Sequence, residues 1–442
     1  MFDGLKSKFC LVAVLLLGFS VTNAGQLEDE ARSDYENYLG ELFRYFHANP
    51  ELSFVEFKTA ARIARELDSL GFEVTAGVGT TGVVAIMRNG KGPLVMMRAD
   101  MDGLPVQERS SLPYASKVFQ ENSEGQVFPV MHACGHDVHM TSLIGSARRM
   151  VASKDTWSGT LMLVAQPAEE WKISGAKAMR EDKIWERFGT PDYALAFHVA
   201  ADIEAGKLFA PRNAAYSAVD SVDIIVPGIG AHGASPHRGR DPIVIASQIV
   251  MALQTLVSRE LSPREPGVVT VGVFKAGNKR NVIGEEARLE LTVRSDNEET
   301  REKLLTGIER IAVNIGRVAG LPEDRLPFVE MKGGVPVTAN NEALVDRLTS
   351  RWGQEFGRDK LAQYERQGMG GEDFPFFTQA PYIPSVYFSV GGTPKEDFLR
   401  EAEGGTPVPS HHSPLFEIKP EPAVVSGIMA TVSALRELMP VE

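Results

Sequence analysis

Cysteine is nearly absent from this chain, with 2 in 442 residues. Cys10 opens an apolar run near the N-terminus, and Cys134 lies far from it. If that run is removed, one thiol remains and no internal disulfide can form. No block of Lys or Arg occurs and the formal net charge is −12, which speaks against nucleic acid, since phosphate binding needs a clustered basic footprint. There is no Gly-x-Ser-x-Gly elbow, so a serine hydrolase is unsupported. No glycine-rich phosphate loop follows a strand, which argues against nucleotide binding. Beyond the N-terminal run, no segment reads as long and apolar enough to cross a bilayer, where ~20 residues are needed. Repeats are absent, and low complexity is confined to the loop Gly404 to Pro409.

The N-terminus has the make-up of a targeting segment. Lys6 and Lys8 form a short positive region, Phe9 to Phe19 is uninterruptedly apolar, and Val21-Thr22-Asn23-Ala24 supplies small residues for cleavage after Ala24. The expectation is a signal peptide over 1–24, an exported (periplasmic or secreted) protein, and no membrane attachment once it is cleaved. Cys10 stands too early to be a lipid-attachment site. Removal takes away a net +1 and leaves −13. A lone thiol in an exported protein needs a reason to persist, and metal coordination is one.

Periodicity then sets the architecture. Residues 34 to 70 read as two helical pieces broken at Asn49-Pro50, with Phe54, Phe57, Ile63 and Leu67 giving the second an apolar face. Short apolar runs follow at Val83–Met87, Leu94–Met97, Leu161–Val164, Ala194–Phe197 and Val386–Val390, typical of buried strands. A helix carrying Met140, Leu143, Ile144, Ala147 and Val151 lies between the second and third. Strands alternating with helices predict an α/β fold, a mostly parallel sheet covered by helices. Between about Ser217 and Met331 the pattern changes. Ala287 to Arg294 alternates apolar and polar, the mark of a sheet with one open face. Strand Val222–Val226, helix Pro242–Arg259, strands Val268–Phe274 and Ala287–Arg294, and helix Glu299–Val318 predict a small inserted α+β domain of split βαβ, ferredoxin-like type. The expected domains are 25–215 with 333–442, and 216–332, closed by a helix over Ala423–Met439.

Each buried strand of the larger domain ends in metal-type chemistry. Leu94–Arg98 runs into Asp100 and Asp102, Leu161–Ala165 into Gln166-Pro-Ala-Glu169-Glu170, and Ala194–Phe197 into His198. In open α/β sheets the ligand crevice lies outside the carboxyl ends of the strands. The stretch Met131-His-Ala-Cys134-Gly-His136-Asp-Val-His139 adds a thiol and an imidazole around a glycine that permits a sharp turn. One of the adjacent carboxylates Glu169 and Glu170 can bind metal while the other takes a proton from water. Ser410-His411-His412-Ser413-Pro414 offers two further imidazoles, of which one need bind. His132 and His139 are expected to brace or cap. A Cys134 nucleophile paired with a His is an alternative that leaves Glu169, Glu170 and His198 without roles.

These residues resemble a known family, the amidohydrolases of the aminoacylase and carboxypeptidase superfamily. The likeness is greatest to the branch of auxin-amide hydrolases, hippurate hydrolases and N-acyl-amino-acid amidohydrolases. The likeness runs through His47-Ala-Asn-Pro-Glu-Leu, Arg98-Ala-Asp-Met-Asp-Gly-Leu-Pro, Met131-His-Ala-Cys-Gly-His-Asp, Gln166-Pro-Ala-Glu-Glu and Phe197-His-Val. It continues through Gly230-Ala-His232-Gly-Ala-Ser-Pro-His, Asn281-Val-Ile, Gly371-Glu-Asp-Phe and His412-Ser-Pro. The resemblance implies two divalent metal ions (Mn, Zn or Co), bridged by Cys134 and held by His136, Glu170, His198 and His412. It implies Glu169 as general base and then acid, His232 as oxyanion donor, Asn281 and Arg294 on the substrate carboxylate, and Asp100 and Asp102 as buttresses. It further implies that the smaller domain is a lid and forms a homodimer, and that the substrate is an N-acyl amino acid.

The chain departs from the family in three respects. Gly284 stands where the family has proline, residues Tyr114 to Pro129 form a longer link into the Cys134 loop, and the leader is unlike the cytosolic members. The alternatives are a metallo-carboxypeptidase or dipeptidase on the same scaffold, a catalytically idle metal-holding protein, and a cysteine hydrolase. A pure binding site needs no base, so Glu169 beside Glu170 argues against the idle protein.

Overall fold

The computed structural model describes residues 25–171 and 174–441, so the leader expected over 1–24 lies outside the described residues. The chain forms two compact units. The first takes residues up to Asn213, then Asn340–Glu365 and everything from Phe376; the second is Ala214–Ala339 with Arg366–Pro375. Sequence had placed the insert at 216–332 and left 366–375 to the larger domain. The difference has a physical cause: Arg366 pairs with Asp296 and donates to the Ser217 hydroxyl, while the Ser217 amide donates to the Gly370 carbonyl.

The first unit is built on a seven-stranded sheet. Edge to edge its strands are Glu73–Val78, Gly82–Asn89, Gly159–Gln166, Leu94–Asp100, Tyr193–Glu204, Ser385–Thr393 and Leu208–Phe209. The central four, from Gly159–Gln166 to Ser385–Thr393, are mutually parallel, and the flanking pairings are antiparallel. Their uniform burial explains the continuous apolar runs, since a strand covered on both faces has no reason to alternate. Helices Gly40–Ala48, Phe57–Ser69, His136–Ala152, Glu342–Glu355 and Pro420–Leu438 share one core with this sheet, through side chains such as Phe46, Ile63, Ile144, Trp352 and Ile428. The long link before Cys134 folds as a hairpin, Phe119–Glu121 against Val127–Pro129, tied by the Gln120 side chain to the Leu52 amide and the Val55 carbonyl.

The second unit is a four-stranded antiparallel sheet in the order Gly267–Ala276, Glu286–Ser295, Ala218–Pro227, Phe328–Val335. Helices Pro242–Thr255 and Glu298–Val318 supply Ile245, Ile249, Leu304 and Ile308 to its core, capped by the Asp241 and Asn297 side chains. Chain order is strand, helix, strand, strand, helix, strand. The final strand, Phe328–Val335, had no sequence signal because most of its residues are exposed and Lys332-Gly-Gly interrupts it. One expectation needs correcting. The helical stretch Pro242–Glu260 is long and apolar enough to cross a membrane by length and composition. One of its faces lies in the second unit's core, while Ile243, Val244, Met251 and Val257 are exposed.

Candidate metal centre

The parallel strands deliver their side chains to one edge because their register is level. Asp100 lies opposite Gln166, and Arg98 lies opposite both Val164 and Ala196, so His198 stands at the height of Asp100. Beyond Gln166 the chain turns through Ala168, a non-glycine residue at φ 48, into Glu169 and Glu170. Gly135, at φ 85, ends the Cys134 loop and starts the helix His136–Ala152. The His412 amide donates to the Ala133 carbonyl, which pins the C-terminal loop onto the same place.

The donor atoms converge. Cys134, His136 and His198 place one ligand atom each within 4.8 Å of one another; so do Cys134, Glu170 and His412, and so do His136, Glu169 and Glu170. Two of these trios share Cys134. Its Sγ lies 3.4 Å from His198 Nε2, and Glu170 Oε1 lies 3.3 Å from His412 Nε2 and 3.8 Å from His136 Nε2. The imidazoles are turned for coordination. His136 Nδ1 donates to the Asp102 carbonyl and His198 Nδ1 to the Val199 carbonyl, at 2.8 and 2.7 Å, so each offers its Nε2 lone pair to the cluster. Among the described residues, His136 Nε2 and Glu170 Oε1 are buried without a hydrogen-bond partner. Orphaned buried donor atoms of mixed thiol, imidazole and carboxylate type fit divalent metal.

His411, the other imidazole of the pair, is committed elsewhere. Its Nε2 accepts the Ala201 amide at 3.1 Å, which leaves Nδ1 as an N–H facing Cys134 Sγ at 3.8 Å. His139 is similarly used, with Nδ1 on Asp100 at 2.5 Å and Nε2 accepting the Val199 amide at 2.8 Å. His132 is buried, and neither of its ring nitrogens has a hydrogen-bond partner among the described residues.

The electrostatics are those of a cation site. Burial opposes charge on His136, yet Asp100, Asp102 and Glu170 outweigh it and raise its pKa to about 10. Burial, with Glu170 and Glu169 close by, pushes the Cys134 thiol well up. A nucleophilic cysteine needs the opposite shift, so Cys134 has the surroundings of a ligand that releases its proton only when a metal takes the proton's place. Asp100 stays far below the usual carboxylate range despite full burial, because Arg98 pairs with it at 2.6 Å and His136 and His139 lie beside it.

Asp102, expected as a buttress, braces this cluster together with Ser53, Glu56 and His47, for which the sequence assigns no role. Asp102 Oδ2 accepts the Ser53 hydroxyl at 2.6 Å and the Glu170 amide at 3.0 Å. Buried Glu56 accepts the Ala168 amide at 2.8 Å. Buried His47 bridges Asp137 and Glu108 at 2.7 and 3.2 Å. His47 opens the stretch His47-Ala-Asn-Pro-Glu-Leu, whereas nothing local in the sequence distinguishes Glu56 from a surface acid.

In the second unit, Ala231-His232 pairs with Val282-Ile283, and the Gly233 amide donates to the Asn281 carbonyl, which sets His232 and Asn281 side by side. His232 Nδ1 accepts the Ala234 amide at 3.0 Å, so its Nε2 carries the proton. Arg294 is elsewhere. It lies opposite Val219, whereas Pro227 beside the His232 loop lies opposite Glu286. Eight strand residues separate those ends by about 27 Å. Within one copy of this unit, Asn281 and Arg294 therefore cannot hold one carboxylate together, and the shared role expected of them needs that correction. Gly284 has no atom within 4 Å of where a Cβ would stand.

Residues 96–402 match peptidase family M20/M25/M40. Among curated proteins, the chain is 37% identical over 347 residues to the hippurate hydrolase of Campylobacter jejuni, covering 78% of this chain and 86% of that one. It is 34% identical over 384 residues to thermostable carboxypeptidase 2 of Saccharolobus solfataricus, covering 86% and 90%. A solved Bacillus subtilis structure, described as a dinuclear metal binding peptidase of the M20 family, superposes with TM-score 0.73 at 27% identity, over 91% of this chain and 98% of that one. Donor geometry, fold and sequence coverage agree: the chain belongs to peptidase family M20/M25/M40, and is a hydrolase of amide bonds.

Proposed function

We propose that this protein splits N-acyl amino acids, hippurate-like or similar conjugates, into a carboxylic acid and a free amino acid. The observation that carries the reading is the pair of donor trios sharing Cys134, with the Glu169 carboxyl among the same atoms. Cys134, His136, Glu170, His198 and His412 would hold two divalent ions, for which Mn, Zn or Co suits the mixed donor set. Such a pair supplies Lewis acidity, polarising an amide carbonyl and lowering the pKa of water towards ~7.

The chain's own residues do the rest. Glu169 takes the proton from the attacking water and returns it to the leaving nitrogen. His232, protonated at Nε2, is a ready donor for an oxygen gaining negative charge, a contact of a kind worth roughly 3 kcal/mol of barrier. Asn281 lies beside it on the paired segment, and Arg294 suits a substrate carboxylate because its planar fork can pair with both oxygens. The hairpin Phe119–Pro129 leads directly into the Cys134 loop, which makes it a candidate for shaping acyl preference.

A second reading, a metallo-carboxypeptidase, is favoured by the similarity to the Saccharolobus solfataricus protein. Stripping the metal, restoring Mn²⁺, Zn²⁺ or Co²⁺, and assaying benzoyl, indoleacetyl, acetyl and long-chain acyl amino acids beside dipeptides separates the two. Metal-dependent release from acyl substrates is the expected result; release from dipeptides alone would favour the peptidase. Glu169→Gln should abolish turnover with metal content unchanged, and normal activity in that variant would remove Glu169 as the base.

We also propose that two copies pair through the second unit. In support, the strand Gly267–Ala276 is an edge of its sheet, and Phe274, Val244 and Met251 are exposed nearby in sequence or on the adjoining helix.

A further inference from the structure

We propose that Glu56 is the positioning residue of the turn that carries Glu169: its carboxyl holds the Ala168 amide and thereby aims the next side chain. The inference rests on reading Glu169 as the base. Glu56 is fully buried, 112 residues from Ala168 in sequence, and outside every group of candidate ligand atoms. Both carboxyl oxygens are used. Oε1 accepts the Ala168 amide at 2.8 Å, and Oε2 meets the Thr81 hydroxyl at 2.5 Å, which fixes the side chain from behind.

The turn needs such a hold. Ala168 sits at φ 48, a conformation that residues with a Cβ avoid. Its carbonyl accepts the Gly175 amide at 3.0 Å, and this closure requires glycine, since a Cβ at 175 would lie 1.6 Å from the Pro167 oxygen. The Ala168 amide is therefore clamped on one side by Glu56, and its carbonyl on the other by Gly175. Glu170 is held separately, through its own amide on Asp102. Loss of the Glu56 contact frees the Pro167–Ala168 peptide, whose rotation turns Ala168 and with it the backbone entering Glu169, and leaves the anchor of the ligand Glu170 in place. The consequence is specific: the base should lose its aim while the ligands keep theirs.

Burial, with Asp102 nearby, pushes the Glu56 carboxyl up to about 8. Glutamine keeps an oxygen to accept from the Ala168 amide, and the Thr81 hydroxyl, which donates to Oε2 of the native side chain, need only rotate to accept from Nε2. Aspartate keeps the acid but is one methylene too short to reach.

The test compares Glu56→Gln, Glu56→Asp, Glu56→Ala and Glu169→Gln on the metal-loaded enzyme, reading kcat, KM, metal per chain and thermal stability. For Glu56→Asp and Glu56→Ala, kcat should fall by about 10²-fold, the scale of a 1 Å misplacement, with KM and metal content unchanged. Glu56→Gln should restore kcat to within about threefold of wild type, because the acceptor is back in place. A role in stability alone would lower the melting temperature and leave kcat per folded enzyme untouched. Wild-type kcat in Glu56→Asp overturns the proposal, as does metal loss in step with activity, which would put Glu56 behind the ligands. If Glu56→Ala does not fold, the Asp and Gln variants decide. An inactive Glu169→Gln beside a fully active Glu56→Asp would sink this inference alone, whereas an active Glu169→Gln would sink the base assignment beneath it.

Discussion

Gly135→Ala is the substitution for which the structure makes the sharpest demand. Gly135 lies between two expected ligands in the left-handed region, at φ 85 and ψ 21. A residue with a Cβ pays roughly 1–2 kcal/mol for that conformation. The Cβ would also stand 2.2 Å from Val199 Cγ1, well inside contact distance. Overpacking of this kind costs about 1–3 kcal/mol, so the expected total is about 2–5 kcal/mol. Val199 cannot step aside freely. Its amide donates to His139 Nε2 at 2.8 Å, and its carbonyl takes the proton of His198 Nδ1 at 2.7 Å. Displacing Val199 turns the His198 ring, so metal binding should weaken along with stability.

A double-mutant cycle separates the two contributions. Val199→Ala removes the methyl that the new Cβ strikes but leaves the backbone conformation as it is. Denaturant unfolding of the metal-free single and double variants should reveal a favourable coupling of about 1–3 kcal/mol, the clash, with about 1–2 kcal/mol of backbone cost remaining. Metal per chain, measured by atomic emission, should fall in Gly135→Ala and partly recover in the double variant. Additivity within about 0.5 kcal/mol would refute the steric argument. Full metal occupancy in Gly135→Ala would refute the link from Val199 to His198.

Two further perturbations test other parts of the molecule. His47→Leu strands Asp137 and Glu108 without their shared buried partner and should cost about 3–5 kcal/mol near pH 6. Although burial disfavours its charge, Asp137 and Glu108 raise the His47 pKa to about 10, above the ~6.5 of an unfolded chain. Its contribution is thus complete below about pH 6.5 and is lost as the pH rises towards 10. The stability gap between wild type and His47→Leu should narrow from pH 6 to pH 9.5, and a gap that is flat or widens would reject the charged bridge. Met251→Glu places a charge on a side chain that is 71% exposed on the apolar outer face of the Pro242–Thr255 helix. Analytical ultracentrifugation should show a dimeric wild type and a monomeric, equally stable variant; an unchanged mass would move the pairing surface elsewhere.

What could be read from the chain alone follows a physical division. The buried parallel strands were visible because a strand covered on both faces must be apolar throughout, as Leu161 to Ala165 is. Phe328–Val335, exposed and broken by glycines, carried no such pattern although it completes the second sheet. Candidate ligands were visible where chemistry is local, in Cys134-x-His136 and Glu169-Glu170. The residues that hold them were hidden, because Glu56 meets Ala168 across 112 positions and His47 meets Asp137 across 90. A buried carboxylate in such a partnership looks, in sequence, like any surface acid.

The two ends of the second sheet make the same point for the substrate. His232, Asn281 and Arg294 stood together as parts of one resemblance, yet strand register sets Arg294 at the end opposite the other two. Adjacency in a motif list says nothing about adjacency in space. His411 and His412 show that the reverse also holds: they are neighbours in sequence with different duties, since one spends its Nε2 on the Ala201 amide while the other turns its Nε2 to Glu170. Choosing between them required knowing which nitrogen was already engaged. A ligand assignment therefore rests on hydrogen bonds made away from the metal, and for His136, His139, His198 and His411 those bonds, more than the presence of a histidine, decide what each can bind.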